Sequence, residues 1–177
     1  DCPSPVPDGT HLIVIEPSMG FGTGHHATTR LCLRALESVP CAARRVLDIG
    51  TGSGVLALAA RVLGAASVEA VDIDAAAIEA ATRSAALNPG IGQVTFRVAD
   101  FHDPAHGLVP ADVVIANLTG AMLTRGRDAL RRLQRPGGHL VVSGFMVDEA
   151  DAVAAAFGPA SPTVRIEEEG WVSLAWA

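Results

Sequence analysis

Residues 46–54 read Val-Leu-Asp-Ile-Gly-Thr-Gly-Ser-Gly, a short apolar strand pattern that leads into three glycines at alternate positions. A helical pattern follows at once, over 55–63, and Gly64 ends it. A glycine loop between a buried strand and a helix lies at the carboxyl edge of an α/β sheet, where such folds bind ligands. The stretch therefore predicts both an α/β fold and a ligand site.

The alternation of strands and helices continues on both sides of this stretch. Further strands are predicted at 11–15, 68–71, 94–99, 113–116, 140–143, 164–168 and 171–175, and helices at 28–39, 75–87, 121–133 and 148–157. This order favours a mostly parallel sheet with helices on both faces. The last two strands are joined through Gly170 as a hairpin, which predicts an antiparallel C-terminal edge.

Composition indicates one ordinary globular domain. The chain has 177 residues, is 49% hydrophobic and carries a net charge of -6, which argues against disorder and against nucleic-acid binding. No apolar run reaches the roughly 18 to 20 residues that cross a bilayer. The three cysteines show no ligand spacing and are expected to be reduced thiols of a cytoplasmic protein. Residues 1–10 are predicted to be a linker or entry segment, and 11–177 a single domain.

Asp72 supplies the acidic partner that the glycine loop needs. It ends the next strand, about 20 residues beyond the glycines, where a carboxylate accepts hydrogen bonds from both hydroxyls of a ribose. The spacing is G-x-G-x-G, and Val55 stands where a dinucleotide fingerprint has its third glycine. Asp48 would repel a pyrophosphate but suits a cationic amino-acid moiety. The site thus favours S-adenosylmethionine over NAD.

A second glycine-rich stretch precedes the first helix. Residues 16–30 read Glu-Pro-Ser-Met-Gly-Phe-Gly-Thr-Gly-His-His-Ala-Thr-Thr-Arg. Its glycines permit close approach of the backbone to a ligand. Phe21 is interpreted either as a cover for the cofactor or as a core residue. His25 and His26 are interpreted as loop structure or cofactor contacts, with a general base or a metal ligand as the alternatives.

Several of these motifs resemble known ones. Residues 48–54 and 71–74 are similar to motif I and the acidic motif of class I methyltransferases. The stretch 16–30 resembles the glycine-rich loop of the ribosomal protein L11 methyltransferase family, where a phrase like F-G-T-G-x-H-x-T-T recurs. Segments 116–118, 136–138, 142–145 and 168–172 also resemble that family. The likeness covers essentially residues 12 to 176.

The resemblance implies a Rossmann-like class I methyltransferase fold, with a mostly parallel seven-stranded sheet. It also implies S-adenosylmethionine as cofactor, and methyl transfer to lysine ε-amino or N-terminal α-amino groups of ribosomal protein L11 in the cytoplasm. The family's N-terminal substrate-recognition domain is expected to be absent from this chain. No metal, membrane or direct nucleic-acid partner is expected, and the oligomeric state is open.

The predicted cofactor site combines residues from four segments. The resemblance implies contacts at Thr29, Gly50, Asp72 and Asn117. A threonine hydroxyl near a helix N-terminus can bond the methionine carboxylate, although Thr28 and Thr29 could instead cap the helix. The remaining residues assigned to the site are Phe21, Gly22, Thr51, Gly52, Gly54, Ile73 and Asp100.

Asn117 is predicted to be catalytic by aligning the acceptor amine. A lysine amine, with a pKa of about 10.4, costs roughly 4 to 5 kcal/mol to present neutral at pH 7, and an α-amine only about 1 kcal/mol. Burial beside a cationic sulfonium lowers that cost, so no strong general base is needed. The alternative for Asn117 is that it merely shapes a turn between strand and helix.

Other functions stay open at this stage. The same family could act on a non-ribosomal protein or on a small-molecule amine. From other classes, a non-catalytic nucleoside-binding module and a NAD-dependent oxidoreductase are the alternatives. The acidic run at 167–169 is interpreted as a solvated face, or as a surface that attracts a basic protein substrate.

Overall fold

The computed structural model describes residues 10–16 and 26–177, in which seven strands form one sheet. The strands are β1 (Arg45–Ile49), β2 (Ser67–Asp72), β3 (Thr95–Val98), β4 (Ala111–Asn117), β5 (Gln134–Met146), β6 (Val164–Glu168) and β7 (Trp171–Trp176). The helices are α1 (Ala27–Glu37), α2 (Val55–Val62), α3 (Ala75–Ala86), α4 (Gly120–Leu133) and α5 (Ala150–Ala156). Short 3₁₀ turns lie at Pro104–His106 and Val147–Glu149.

The strand order is β3-β2-β1-β4-β5-β7-β6. Strands β1 to β5 pair in parallel, whereas β7 runs antiparallel to both β5 and β6. The predicted mostly parallel sheet with an antiparallel C-terminal edge is confirmed. The order reverses between β1 and β4, and this reversal is the place where open α/β sheets bind ligands.

Apolar side chains form a core on each face of the sheet. Because side chains alternate along a strand, Leu47 joins the cluster under α4 and α5 while its neighbour Val46 joins the cluster under α1 and α2. Phe145 and Trp176 are buried in the first cluster, and Leu36 in the second. The predicted placement of helices on both faces is confirmed.

The predicted strand at 11–15 is wrong. The backbone of Val14 pairs with a side chain instead of a strand: its N–H donates to Asn88 Oδ1 at 2.8 Å, and Asn88 Nδ2 donates to the Val14 carbonyl at 2.7 Å. Ile13 and Ile15 pack against the second apolar cluster. The apolar residues of this segment thus pack on the core without forming a strand, and its backbone bonds to Asn88, just beyond α3.

Strand β5 begins earlier than the predicted 140–143 segment. Ala111 pairs with Gln134 and Val113 with His139, so the segment between these two β5 residues bulges out of register. The bulge contains Gly137, with φ +72, and Gly138, where a Cβ would lie 2.7 Å from the Asp112 carbonyl oxygen. Proline and glycine ordinarily weaken a strand, and here they lie in the bulge, where the regular ladder is interrupted.

Replacing Asn88 tests how the segment 10–16 is held. In Asn88→Ala both backbone groups of Val14 lose their partner, so we expect the free energy of unfolding to fall by about 1–3 kcal/mol in urea denaturation. The half-exposed neighbour Leu87 is the control, and Leu87→Ala should change stability by less than about 0.5 kcal/mol. Equal effects of the two substitutions would contradict this account.

Candidate functional site

A cavity opens at the carboxyl edge of the sheet where β1 and β4 meet. Its walls come from the start of α1, the glycine loop (residues 50–54), α2 and the end of β4, and its lining residues are Thr29, Gly50, Thr51, Gly52, Val55, Leu56 and Asn117. Five of the residues predicted to bind a cofactor thus lie around one cavity. Val55 and Leu56 were not assigned to the site from the sequence.

The glycine loop has a conformation that requires its glycines. Gly50, Gly52 and Gly54 have φ values of +69, +54 and +83, a region that side chains with a Cβ rarely adopt. The loop is fixed to β2, because the N–H groups of Gly50 and Thr51 donate to the Val71 carbonyl at 2.8 and 3.0 Å. Gly54 lines no part of the cavity; it caps α2, where a Cβ would lie 3.0 Å from that of Ala81.

The Asp72 carboxylate stands at the end of β2 beside the glycine loop. Its Oδ2 accepts from Gly52 N at 3.1 Å and its Oδ1 from Asp74 N at 3.1 Å, and each oxygen keeps a further lone pair. Ile73 follows with 68% of its surface exposed. An acceptor for hydroxyl groups and a bare apolar surface therefore lie side by side. Asp74 accepts from Ala76 N and caps α3.

Asp48 is fully buried behind the glycine loop. Its Oδ2 accepts the Thr51 hydroxyl at 2.7 Å, but no described residue hydrogen bonds to Oδ1. Burial raises the pKa of the Asp48 carboxyl to about 7; the Thr51 hydrogen bond opposes this shift, and the nearby charge of Asp72 adds to it. A buried carboxylate oxygen without a partner is suited to a cationic or donating ligand group.

Asn117 ends β4 and is half-buried at the cavity wall. Its Nδ2 donates to Thr28 Oγ1 at 3.3 Å, across 89 positions of sequence. It does not cap the following helix, because Thr119 is the N-cap of α4 and accepts from Met122 N at 3.3 Å. Both the turn alternative and the role of Asn117 in catalysis stay predictions.

The two threonines at the start of α1 do not cap that helix. His26 is the N-cap, and its Nδ1 accepts from Thr28 N at 3.4 Å. Thr29 is buried and lines the cavity. The capping alternative for Thr28 and Thr29 is therefore wrong. His26 has a structural role as the N-cap of α1, and its interpretation as a cofactor contact stays a prediction.

The structure does not describe all of the residues considered for the site. Phe21, Gly22 and His25 lie outside the described residues. Asp100 follows β3 at the same sheet edge, where the N–H of the preceding Ala99 donates to the Asp72 carbonyl at 2.9 Å. The Asp100 carboxylate accepts from His102 N at 2.8 Å, so it orders its own turn, and a contact with the cofactor stays a prediction.

Sequence reasoning missed two residues that shape the site. Thr28 was considered only as a cap, although it contacts Asn117. Gly144 has φ +102, and a Cβ there would lie 2.4 Å from the Leu118 carbonyl oxygen and 3.0 Å from Asn117 Oδ1. A lone glycine in a strand pattern is a signal of close backbone approach, and this signal could have indicated Gly144.

Glutamates of the acidic run at 167–169 form ion pairs with arginines of α1. Glu168 pairs with Arg30 at 2.6 Å and with Arg34 at 3.4 Å, and Glu169 lies 3.2 Å from Arg30. These pairs join the β6–β7 hairpin to α1. The interpretation as a purely solvated face is therefore wrong for Glu168, which holds α1 against the sheet edge.

The described residues form neither a metal cluster nor a membrane-spanning helix. In 10–16 and 26–177, no group of three or more His, Cys, Asp or Glu side chains is arranged to hold a metal ion. No helix within these ranges is long and apolar enough to cross a bilayer. Cys32 and Cys41 are free, buried thiols, as the sequence predicted.

Known proteins resemble this chain along almost its whole length. Residues 3–177 match the family described as "Ribosomal protein L11 methyltransferase (PrmA)". The ribosomal protein L11 methyltransferase of Symbiobacterium thermophilum is 39% identical over 169 residues, which cover 94% of this chain and 54% of that protein. The enzyme of the same name from Azotobacter vinelandii is 41% identical over 175 residues, with 97% and 58% covered. The chain thus spans about half the length of the curated relatives it matches.

A solved structure has the same fold. The crystal structure of ribosomal protein L11 methylase from Lactobacillus delbrueckii subsp. bulgaricus superimposes with a TM-score of 0.87 at 29% identity. The superposition covers 97% of this chain and 88% of that one. The predicted Rossmann-like methyltransferase fold is confirmed.

The raised pKa of Asp48 has a consequence for stability. The folded carboxyl keeps its proton up to about pH 7, whereas the unfolded one releases it near pH 3.9. Between these values the folded state holds more protons, so the wild-type free energy of unfolding should decrease as pH rises, by at most about 1.4 kcal/mol per pH unit. Asp48→Asn removes this pH-dependent contribution to the free energy of unfolding. We expect urea denaturation from about pH 4 to 8 to show the variant gaining stability relative to the wild type, and parallel curves would contradict the assignment.

Proposed function

Because this chain belongs to the ribosomal protein L11 methyltransferase family, we propose that it transfers methyl groups from S-adenosylmethionine to amino groups of ribosomal protein L11. The acceptors are lysine ε-amino or N-terminal α-amino groups, and the reaction takes place in the cytoplasm. The observation that carries this proposal is the cavity shared by the glycine loop and Asn117. One wall suits a nucleoside cofactor, and the other presents an amide that can bind an amine.

Residues of the cavity wall and residues directly beside it can each be matched to a part of S-adenosylmethionine. Asp72 offers acceptor lone pairs for the ribose hydroxyls, and the exposed Ile73 offers an apolar face for the adenine. Asp48 has an oxygen without a partner, which suits the positive charge of the amino-acid moiety. Thr29 provides a hydroxyl at the cavity wall for the carboxylate.

Bound S-adenosylmethionine supplies a methyl group already activated on a sulfonium, so the chain has to position the acceptor. The cavity is lined by Thr, Gly, Val, Leu and Asn side chains, none of which is a strong base at neutral pH. Asn117 stays neutral, and its Oδ1 can accept a hydrogen from the amine nitrogen, which directs the nitrogen lone pair toward the cavity. The amine loses its proton to water before it reacts, so transfer is expected to accelerate as pH approaches the amine pKa.

The glycine spacing argues against the oxidoreductase alternative. Val55, at the position of a third glycine, is buried in the first turn of α2 and supplies side-chain bulk where a dinucleotide site needs none. The chain also contains no tyrosine and no lysine, so it lacks the Tyr-Lys pair of many such enzymes.

Calorimetry tests the cofactor. We expect the chain to bind S-adenosylmethionine and S-adenosylhomocysteine, and Asp72→Ala to weaken both by at least about 10-fold, since two hydrogen bonds to a charged group are lost. Asp74→Ala is the matched control, because Asp74 caps α3 and should leave affinity nearly unchanged. Tight binding of NAD in place of these ligands would refute the proposed cofactor.

Transfer of a radiolabelled methyl group tests the acceptor. Purified ribosomal protein L11, and cell extract lacking the endogenous enzyme with and without ribosomes, are incubated with the chain and labelled S-adenosylmethionine. We expect label in L11, mapped to amines by mass spectrometry. Label only in non-ribosomal proteins would reject L11 as substrate, and binding without any transfer would indicate a non-catalytic module.

Asn117→Ala separates alignment from cofactor binding. Because the amide is proposed to position the amine, we expect kcat to fall by about 100-fold while the Kd for S-adenosylhomocysteine changes much less. Full methylation by Asn117→Ala would show that the assigned role is wrong.

A further inference from the structure

We propose that Thr28 and His26 are positioning residues that hold the Asn117 side-chain amide with Oδ1 turned toward the acceptor amine. This role rests on the proposed function, because it concerns the same transfer. It adds two residues that do not touch the reacting atoms but decide which end of the amide faces them. The evidence is the direction of the hydrogen bonds that link the three side chains.

The hydrogen bonds run in one direction from Asn117 to His26. Thr28 N donates to His26 Nδ1 at 3.4 Å, so this ring nitrogen acts as an acceptor. The Thr28 hydroxyl lies 2.9 Å from the same nitrogen. In the tautomer with Nδ1 unprotonated, which the Thr28 N–H contact favours, the hydroxyl donates its single hydrogen to Nδ1. Thr28 Oγ1 is then left only with acceptor capacity, and Asn117 Nδ2 donates to it at 3.3 Å.

This arrangement distinguishes the two ends of the amide. If the Asn117 amide turned by half a rotation, its Oδ1 would face the lone pairs of Thr28 Oγ1 and the hydrogen bond would be lost. The lost hydrogen bond of the half-buried amide and the lone-pair repulsion both disfavour the turned orientation. The Thr28 hydroxyl, with its hydrogen used on His26, therefore selects the orientation in which Oδ1 points away from α1.

The other end of the amide is left available. No described residue donates a hydrogen bond to Asn117 Oδ1. Gly144 keeps the space beside it open, because a Cβ there would lie 3.0 Å from Oδ1. We call the hydrogen bonds from Asn117 through Thr28 to His26 the relay. The relay turns Oδ1 outward, and Oδ1 is the oxygen that a primary amine could reach.

The β6–β7 hairpin contacts His26 and the helix that follows it. The Trp171 ring packs edge-on against the imidazole, with ring centroids 4.8 Å apart and an angle of 70° between the planes. Trp171 begins β7 and pairs with Met146 of β5. The Arg30–Glu168 ion pair at 2.6 Å fixes the next turn of α1 to the same hairpin. The imidazole therefore has a fixed orientation toward Thr28.

Substitution of Thr28 tests this relay. Thr28→Val keeps the shape of the side chain and removes the hydroxyl, whereas Thr28→Ser keeps the hydroxyl. We expect kcat for methyl transfer to fall about 10-fold or more in Thr28→Val, with the Kd for S-adenosylhomocysteine unchanged, and to recover in Thr28→Ser. Thr82→Val is the matched control, because the Thr82 hydroxyl is exposed on α3 and bonds only the Ile78 carbonyl of its own helix. It should behave as the wild type.

Substitution of His26 separates the relay from helix capping. Asparagine is a good N-cap, so His26→Asn keeps an acceptor for Thr28 N but moves it away from the ring position that orders the hydroxyl. We expect His26→Asn to retain thermal stability better than His26→Ala and yet to share its loss of kcat. Full activity of His26→Asn would mean that His26 only caps α1.

A spectroscopic measurement tests the hydrogen bonds without relying on catalysis. The side-chain N–H₂ signals of Asn117 in ¹⁵N-resolved NMR should shift and exchange faster with water in Thr28→Val than in Thr28→Ser. Unchanged signals, or a normal kcat in folded Thr28→Val, would overturn the relay alone. Absence of methyl transfer by the unsubstituted chain would instead overturn the proposed function and, with it, the role in transfer.

Discussion

The hydrogen bonds from the N–H groups of Gly50 and Thr51 to the Val71 carbonyl determine where every other part of the site lies. They tie the glycine loop to β2 at the reversal of strand order, next to the end of β4. The parallel register then aligns Ile49 with both Val71 and Ala116, so Asp72 and Asn117 stand on either side of the loop. Because the register is fixed by two buried apolar faces, a slip of one residue would turn Asp72 and Asn117 away from the cavity.

Asp48 shows that the site is not optimised for stability alone. A fully buried carboxyl with one oxygen left without a partner is costly, and an apolar residue would pack there at lower cost. The chain nevertheless places this carboxyl directly behind the loop that would surround a cationic cofactor. Local strain and unsatisfied groups of this kind concentrate at functional sites, where a bound ligand compensates them.

Short-range patterns in the sequence predicted most of the fold and part of the site. The glycine loop, the position of Asp72 and the helix ends depend on neighbours within one strand–loop–helix unit. The structure has the loop and Asp72 as predicted, and the helix ends within two residues of the predicted ones. The segment 11–15 failed because an apolar pattern does not say whether its backbone pairs with a strand or with Asn88. The contact of Thr28 with Asn117 depends on packing between segments 89 positions apart, which no local pattern encodes. The resemblance to a family indicated Asn117, but not what orients its side chain.

The position of β7 affects the order in which the protein can assemble during synthesis. Trp171–Trp176 is made after β5 and β6, yet it lies between them in the sheet. Emerging segments of a nascent chain can form β1 to β5, but the antiparallel edge must wait until β7 has left the ribosome. Since Trp171 and Glu168 hold the start of α1, the wall that carries Thr28 and Thr29 is completed last. The cavity wall at the start of α1 therefore gains these contacts only after β7 has been synthesised.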